Sequence, residues 1–325
     1  MLLNYAYIIL GFAVLIWGAD RFIQGASGIA RSMGVSPLLV GLIIVGFGTS
    51  APEIIVSLNA SLEGNPAIAI GNALGSNIAN IGLVLGATAL VMPLAMQSST
   101  LSREFPLLLA VSLAALALMM DGELSQLDGI ILLSGLIFVL TWLFFLSKRG
   151  NQDDPIQIEY ETEFNEVVPF RISGFWFIVG LGLLLAGSQL LVENAVAVAD
   201  HYGVSKLVIG LTIIAIGTSL PELAASVISA LKKEPDIAIG NIIGSNMYNL
   251  LAVMAVPALV APGTFDSGVL ERDFPVMIGL TIAMFVMGFG ISGRGRINRL
   301  EGFALLLAFC GYQYILYGTL KNIVA

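Results

Sequence analysis

The sequence predicts an all-α membrane protein of about ten transmembrane helices, built as two inverted five-helix repeats. Three observations carry that prediction. The 325 residues are 57% hydrophobic and only 11% charged, whereas a soluble domain is nearer a quarter charged. Apolar stretches of membrane-spanning length recur along the whole chain, and lipid admits only structures whose backbone polar groups are satisfied internally. The chain is also written twice. An offset of 169 residues superposes GTSAPEIIVS (48–57) on GTSLPELAAS (217–226), and GNALGSNIAN (71–80) on GNIIGSNMYN (240–249). The same offset aligns GVSPLLVGL with GVSKLVIGL and LSREFP with LERDFP, and about half the positions between Gly48 and Pro93 equal their mates. Repeats of this kind mark duplication.

The first apolar stretch, 3–22, has no base before Arg21. A secretory leader wants a positive start, so this stretch reads as a retained span. Spans at 36–61, 67–93, 105–120 and 128–147 complete the first repeat, residues 1–147. Residues 148–171 form an acidic linker, whose Asp153, Asp154, Glu159, Glu161, Glu163 and Glu166 read as solvating charge. A low-affinity calcium-sensing role is the weaker alternative. The second repeat, 172–325, has spans at 172–193, 205–231, 236–261, 274–292 and 300–319.

Five spans per copy is an odd number, so the second copy enters the membrane from the opposite side. That is the inverted-repeat plan of secondary transporters. Eleven of the fourteen Lys and Arg residues fall in the first, third, fifth, seventh and ninth loops, Arg21 and Arg31 among them. The positive-inside rule makes that face cytoplasmic. The expected location is the cell (inner or plasma) membrane, with both termini outside and the linker inside. One cysteine and one histidine leave little material for a disulfide, a soft-metal centre or Ser–His catalysis, so no enzyme is expected. Cofactors, nucleic acid and an obligate protein partner are not expected either; the bilayer is the one partner that composition demands.

An ionised glutamate at mid-bilayer costs roughly 3 kcal/mol on insertion scales. Glu53 and Glu222 both stand there, each beside a proline. On a helix, Thr49, Glu53 and Ser57 fall at i, i+4 and i+8, with Ser50 on the same face. Asn72, Ser76 and Asn80 make a second oxygen-bearing stripe. The second copy repeats both, as Thr218, Ser219, Glu222 and Ser226, and as Asn241, Ser245 and Asn249. The inverted axis brings these faces together at the midplane. Pro52 and Pro221 lack a backbone donor, so carbonyls around Gly48–Thr49 and Gly217–Thr218 are free to turn inward. Two carboxylates with hydroxyl, amide and backbone oxygens suit hard cations: Ca²⁺ takes six to eight oxygens, and Na⁺ ions fit the same set, whereas Mg²⁺ surrenders its waters reluctantly. Gly71 and Gly75, like Gly240 and Gly244, read as close-packing positions. Asn77 and Asn246, one residue off the stripe, read as interhelical bonding groups.

At these doubled GTSxPE and GNxxGSNxxN motifs the sequence resembles the sodium/calcium exchanger family of the cation/calcium antiporter superfamily, closest to its short prokaryotic members. The resemblance covers the whole chain. It implies a calcium site on Glu53, Glu222 and the carbonyls of Thr49 and Thr218, completed by Asn80 and Asn249. It implies sodium sites using Ser50, Ser219, Ser76 and Ser245 with carbonyls of Gly46 and Ala215, and sliding of spans one and six against the other eight. The potassium-dependent branch carries an aspartate where Asn249 stands, which argues against potassium dependence here. The expected activity is Na⁺/Ca²⁺ antiport by alternating access, with H⁺/Ca²⁺ antiport as the alternative. A passive channel and an intramembrane protease fit less well, because the duplication favours a carrier and the acids are not a pair of aspartates.

Overall fold

In the computed structural model the described residues are 1–96, 103–149, 169–204, 209, 213, 215–289 and 295–324. They form ten helical segments: α1 Leu2–Met33, α2 Pro37–Leu62, α3 Pro66–Val91, α4 Glu104–Met119, α5 Gln126–Arg149, α6 Phe170–His201, α7 Leu220–Leu231 after a turn at Ala215–Thr218, α8 Pro235–Val260, α9 Phe274–Phe289 and α10 Arg299–Val324. The chain is an all-α membrane protein. Most of the acidic linker lies outside the described residues.

Helix starts and stops follow local chemistry. Pro37, Pro66 and Pro235 open their helices at positions whose N–H would have no intrahelical partner. Before α5, Ser125 and Asp128 exchange hydrogen bonds: Ser125 N–H donates to Asp128 Oδ2 at 2.8 Å and Asp128 N–H to Ser125 Oγ at 3.3 Å. Asn298 and Glu301 do the same before α10. Both are capping boxes. Gly34 closes α1 at φ 62°, a left-handed value that suits glycine.

Two short ribbons fix the inverted topology. Strand β1 (Leu94–Ala95) pairs antiparallel with β4 (Arg296–Ile297), and β2 (Glu123–Leu124) pairs with β3 (Gly263–Thr264). The first ribbon joins the loops after α3 and before α10, on one membrane face. The second joins the loops before α5 and after α8, on the other. Each strand's repeat mate lies in the opposite ribbon, as a two-fold axis in the membrane plane requires.

The helices divide into two bodies. The larger apolar core is drawn from α2–α5 and α7–α10, and contains no residue of α1 or α6. A second cluster joins Leu15, Ala19, Phe22, Ile23, Ala26 and Ala30 of α1 to Leu184 and Leu191 of α6, and to Val40, Val45, Ala225 and Ile237 beneath them. The two long helices cross backbone to backbone. Gly11, Gly18 and Gly25 recur every seventh residue, facing Ser173, Gly180 and Gly187 at the same spacing. A Cβ on any of the five glycines would collide with backbone atoms of the opposite helix. Small residues permit that approach between membrane helices.

Two boundaries differ from the sequence expectation. Helices α1 and α6 run 32 residues each, about 48 Å against a hydrocarbon thickness of ~30 Å, instead of stopping at 22 and 193. Arg21 ends the apolar run without ending the helix. Its guanidinium sits 4.8 Å from the Trp176 ring centroid and 5.8 Å from that of Trp17, and donates to Gln24. Arg21 and Arg31 are therefore helical residues, not loop residues.

Candidate cation site

Helix α2 is not continuous. A π-helical stretch at Gly41–Val45 precedes one turn, Gly46–Thr49, and Ser50 leaves helical geometry at φ −83°, ψ 1°. Ser219 does so at φ −89°, ψ 3° before α7. The two breaks lie two and three residues ahead of Pro52 and Glu53, and of Pro221 and Glu222. Helices α3 and α8 carry matching π-helical stretches, Asn80–Leu85 and Asn249–Val253. Such stretches locally misalign the hydrogen-bond ladder, and both begin on the asparagines that sequence reasoning singled out.

The glutamates are buried in the protein, each 1% exposed. The Glu222 carboxyl faces the Thr49 and Ser50 side chains and, across the axis, interacts with the Glu53 carboxyl. Ser50 Oγ itself makes no well-formed hydrogen bond. Thr49 Oγ1 donates to Asn241 Oδ1 at 3.0 Å and lies 3.3 Å from Ser245 Oγ. Asn72 Nδ2 donates to the Glu53 carbonyl at 3.0 Å and to Ser57 Oγ at 3.1 Å. Asn241 Nδ2 repeats this toward the Glu222 carbonyl and Ser226 Oγ. Each glutamate turn is thus tied to its neighbouring helix by the same amide.

Buried polar atoms without a partner are rare in native proteins and call for an explanation. Here Ser50 Oγ, Glu53 Oε2, Asn80 Oδ1, Ser219 Oγ, Glu222 Oε2 and Asn249 Oδ1 are all buried and unpartnered. With Asn77 Oδ1 and Asn246 Oδ1, which are also buried and unpartnered, they form four pairs related by the repeat, and all are oxygens. Ser76 and Ser245 are buried too. Gly46 is buried, and its carbonyl accepts the Ser50 N–H at 3.0 Å. Thr218 and the backbone of Ala215 lie on the turn ahead of α7. Among the described residues no three Asp, Glu, His or Cys side chains converge. A cation here would meet two formal charges and otherwise neutral oxygens.

The Gly217 carbonyl does not simply face inward. It accepts a hydrogen bond from Ser188 Oγ of α6 at 3.1 Å, which takes up an acceptor released by Pro221. The mate of Ser188 is Ala19, which has no donor, and sequence reasoning missed this contact. It also missed Tyr248, whose hydroxyl donates to the Ile43 carbonyl in the π-helical stretch of α2 at 2.9 Å. Neither residue lies on a recurring stripe. Asn77 Nδ2 donates to the Asn246 carbonyl at 3.2 Å, the interhelical bond expected of it; Asn246 departs from that expectation, because its Nδ2 donates to the Ile242 carbonyl one turn back in its own helix at 2.9 Å.

The site is packed unequally on its two sides. Gly41, Gly240 and Gly244 bring α2 and α8 into backbone contact. At the corresponding end of α3, Ala67, Ile68 and Gly71 are exposed, while their mates Asp236, Ile237 and Gly240 are buried. The contacts expected at Gly71 and Gly75 are absent among the described residues.

Known proteins agree with this architecture. A sequence model described as sodium/calcium exchanger protein matches residues 3–145 and 172–318. The chain is 49% identical to the putative antiporter CaxA of Alkalimonas amylolytica, over 98% of this chain and all of that protein. It is 27% identical to the Ca²⁺/H⁺ antiporter ChaA of Bacillus subtilis, over 86% of this chain and 83% of that one. A solved structure of the sodium-calcium exchanger NCX_Mj superposes with a TM-score of 0.81 at 31% identity, covering 95% of this chain and 97% of that one.

Proposed function

The chain belongs to the sodium/calcium exchanger family, and on that footing we propose that it is a secondary antiporter, not an enzyme, exchanging Na⁺ for Ca²⁺ by alternating access. The supporting observation is the symmetric set of buried, unpartnered oxygens around Glu53 and Glu222. Ca²⁺ draws on both carboxylates, Asn80 and Asn249, and the carbonyls of Thr49 and Thr218. Na⁺ ions use Ser50, Ser219, Ser76 and Ser245 with the carbonyls of Gly46 and Ala215. The two ions compete because they share the carboxylates. Exchange is obligatory because two uncompensated charges are expensive to carry through an occluded state.

In this reading the halves 1–147 and 172–325 alternate roles around the axis, joined by the 148–171 linker on the cytoplasmic side, with both termini outside. Glu53→Gln and Glu222→Gln each remove one of the two charges. Each variant is expected to abolish sodium-dependent ⁴⁵Ca²⁺ flux in proteoliposomes while inserting normally. Wild-type flux from either would refute the assignment.

Proton coupling is the second reading, favoured by the likeness to ChaA, whose name gives Ca²⁺/H⁺ antiport. The hydroxyl and amide oxygens favour sodium, since a proton on a carboxylate needs no cage of neutral ligands. Flux driven by a sodium gradient at equal pH, against flux driven by a pH gradient without sodium, separates the two.

A further inference from the structure

On the face where α1 ends and α7 turns into α8, the outer helix pair is fastened to the core by charge. Ser27 Oγ donates to Glu234 Oε1 at 2.8 Å, and Arg31 Nη2 donates to the same oxygen at 3.0 Å. Lys232 Nζ lies 2.7 Å from Asp20 Oδ1. Glu234 is 8% exposed, so its ion pair is better shielded than the outer Lys232–Asp20 pair. Beneath these contacts Ile237 is fully buried in the cluster that seats α1 on the core.

The repeat mates of these residues cannot build the same device. The repeat mates of Ser27, Arg31 and Glu234 are Val196, Asp200 and Asn65, and those of Asp20 and Lys232 are Gln189 and Glu63. No acid–base pair remains among them. The charged turn is also strained. Lys233 sits at φ 60°, where its mate Gly64 has φ 79°, and a left-handed lysine costs roughly 1–2 kcal/mol.

We propose that Arg31, Ser27 and Glu234, with Asp20 and Lys232, form a one-sided electrostatic latch that holds the outer pair against the core and favours the state closed on that face. The proposal rests on the alternating-access reading. Under the pseudo-two-fold symmetry, the opposite state exchanges the two faces: α6 takes up the packing α1 makes now, and α1 leaves the α7–α8 turn. The latch exists in one state only, and the five repeat mates offer no acid–base pair to balance it in the other. Ile237 is then uncovered as its mate Ile68, 56% exposed, is uncovered here.

The test uses the full chain with Cys310→Ser and a reporter, Ile237→Cys, labelled from the latch face by a membrane-impermeant thiol reagent in vesicles. Arg31→Gln and Glu234→Ala are each expected to raise the labelling rate about tenfold, the scale of a shift of one partly buried ion pair in a two-state equilibrium. The charge-swapped double variant Arg31→Glu with Glu234→Arg is expected to return it toward the parent rate. Unchanged labelling in both single variants, with a rate that still responds to replacing Na⁺ by Ca²⁺, overturns the latch alone. Labelling that responds to neither ion nor variant overturns the latch and the alternating-access reading together. A second readout needs no cysteine: loss of the latch is expected to change the ratio of apparent Ca²⁺ affinities at the two faces, and an unchanged ratio counts against it.

Discussion

Glu53 and Glu222 are tolerated at membrane depth because helices, not lipid, surround them. Asn72 and Asn241 hold the glutamate turns, and the two are not equivalent in load. Asn241 is fully buried and uses both its amide nitrogen and its oxygen, contacting the Glu222 carbonyl, Ser226 and Thr49. Removing such bonds costs about 1 kcal/mol each, and more where a buried partner is stranded. Asn241→Ala is therefore expected to lower thermal stability in detergent more than Asn72→Ala, by about 1 kcal/mol or more; equal melting temperatures would contradict this. At Lys233 relief of backbone strain is the larger effect. Lys233→Gly is expected to raise stability by about 1 kcal/mol, read as a higher melting temperature. The acidic and amide residues of the site were legible in the sequence, because they break an apolar background at a helical period. Ser188 and Tyr248 were not, since a lone Ser or Tyr in an apolar run carries no pattern.

Helices α1 and α6 show why an apolar run and a helix are different objects. The run ends where a charge appears. The helix ends where the backbone turns, at Gly34 in α1, and Arg21 is housed between Trp17 and Trp176 on the way. The seventh-residue glycines were present in the sequence, and their spacing would have identified the seam. Gly18→Leu inserts a side chain into backbone of the opposite helix and is expected to destabilise by about 3 kcal/mol, at the upper end for overpacking. Gly279→Ala in α9, with no neighbour within 4 Å among the described residues, is expected to gain about 0.5–1 kcal/mol from helix propensity. Thermal melts followed by circular dichroism compare the two; a Gly18→Leu protein as stable as its parent would mean the seam is not close-packed.

At the scale of the whole molecule, two bodies meet along an interface whose buried residues are largely apolar. A carrier needs a surface that slides without stranding polar groups, and an apolar face meets that need. Protonation of the glutamates removes the charge that attracts a cation. Calcium uptake by vesicles under a fixed sodium gradient is accordingly expected to fall as pH is lowered. Uptake that rises on acidification would instead indicate protons acting as the driving ion.

The sequence alone determined the solvent, the duplication, the inversion that follows from an odd span count, and the two oxygen-bearing stripes. Each is a local or periodic property, and a 169-residue offset is visible without knowing any contact. Only the tertiary structure decided which oxygens remain unpartnered, where π-helical stretches and breaks re-aim the backbone, and that Arg31 and Glu234 meet to tie one face. Those features depend on residues some two hundred positions apart meeting in space, and on the two copies packing unequally. The similarity of the two halves cannot by itself reveal that inequality, because a repeat records what the copies share and a single conformation is defined by how they differ.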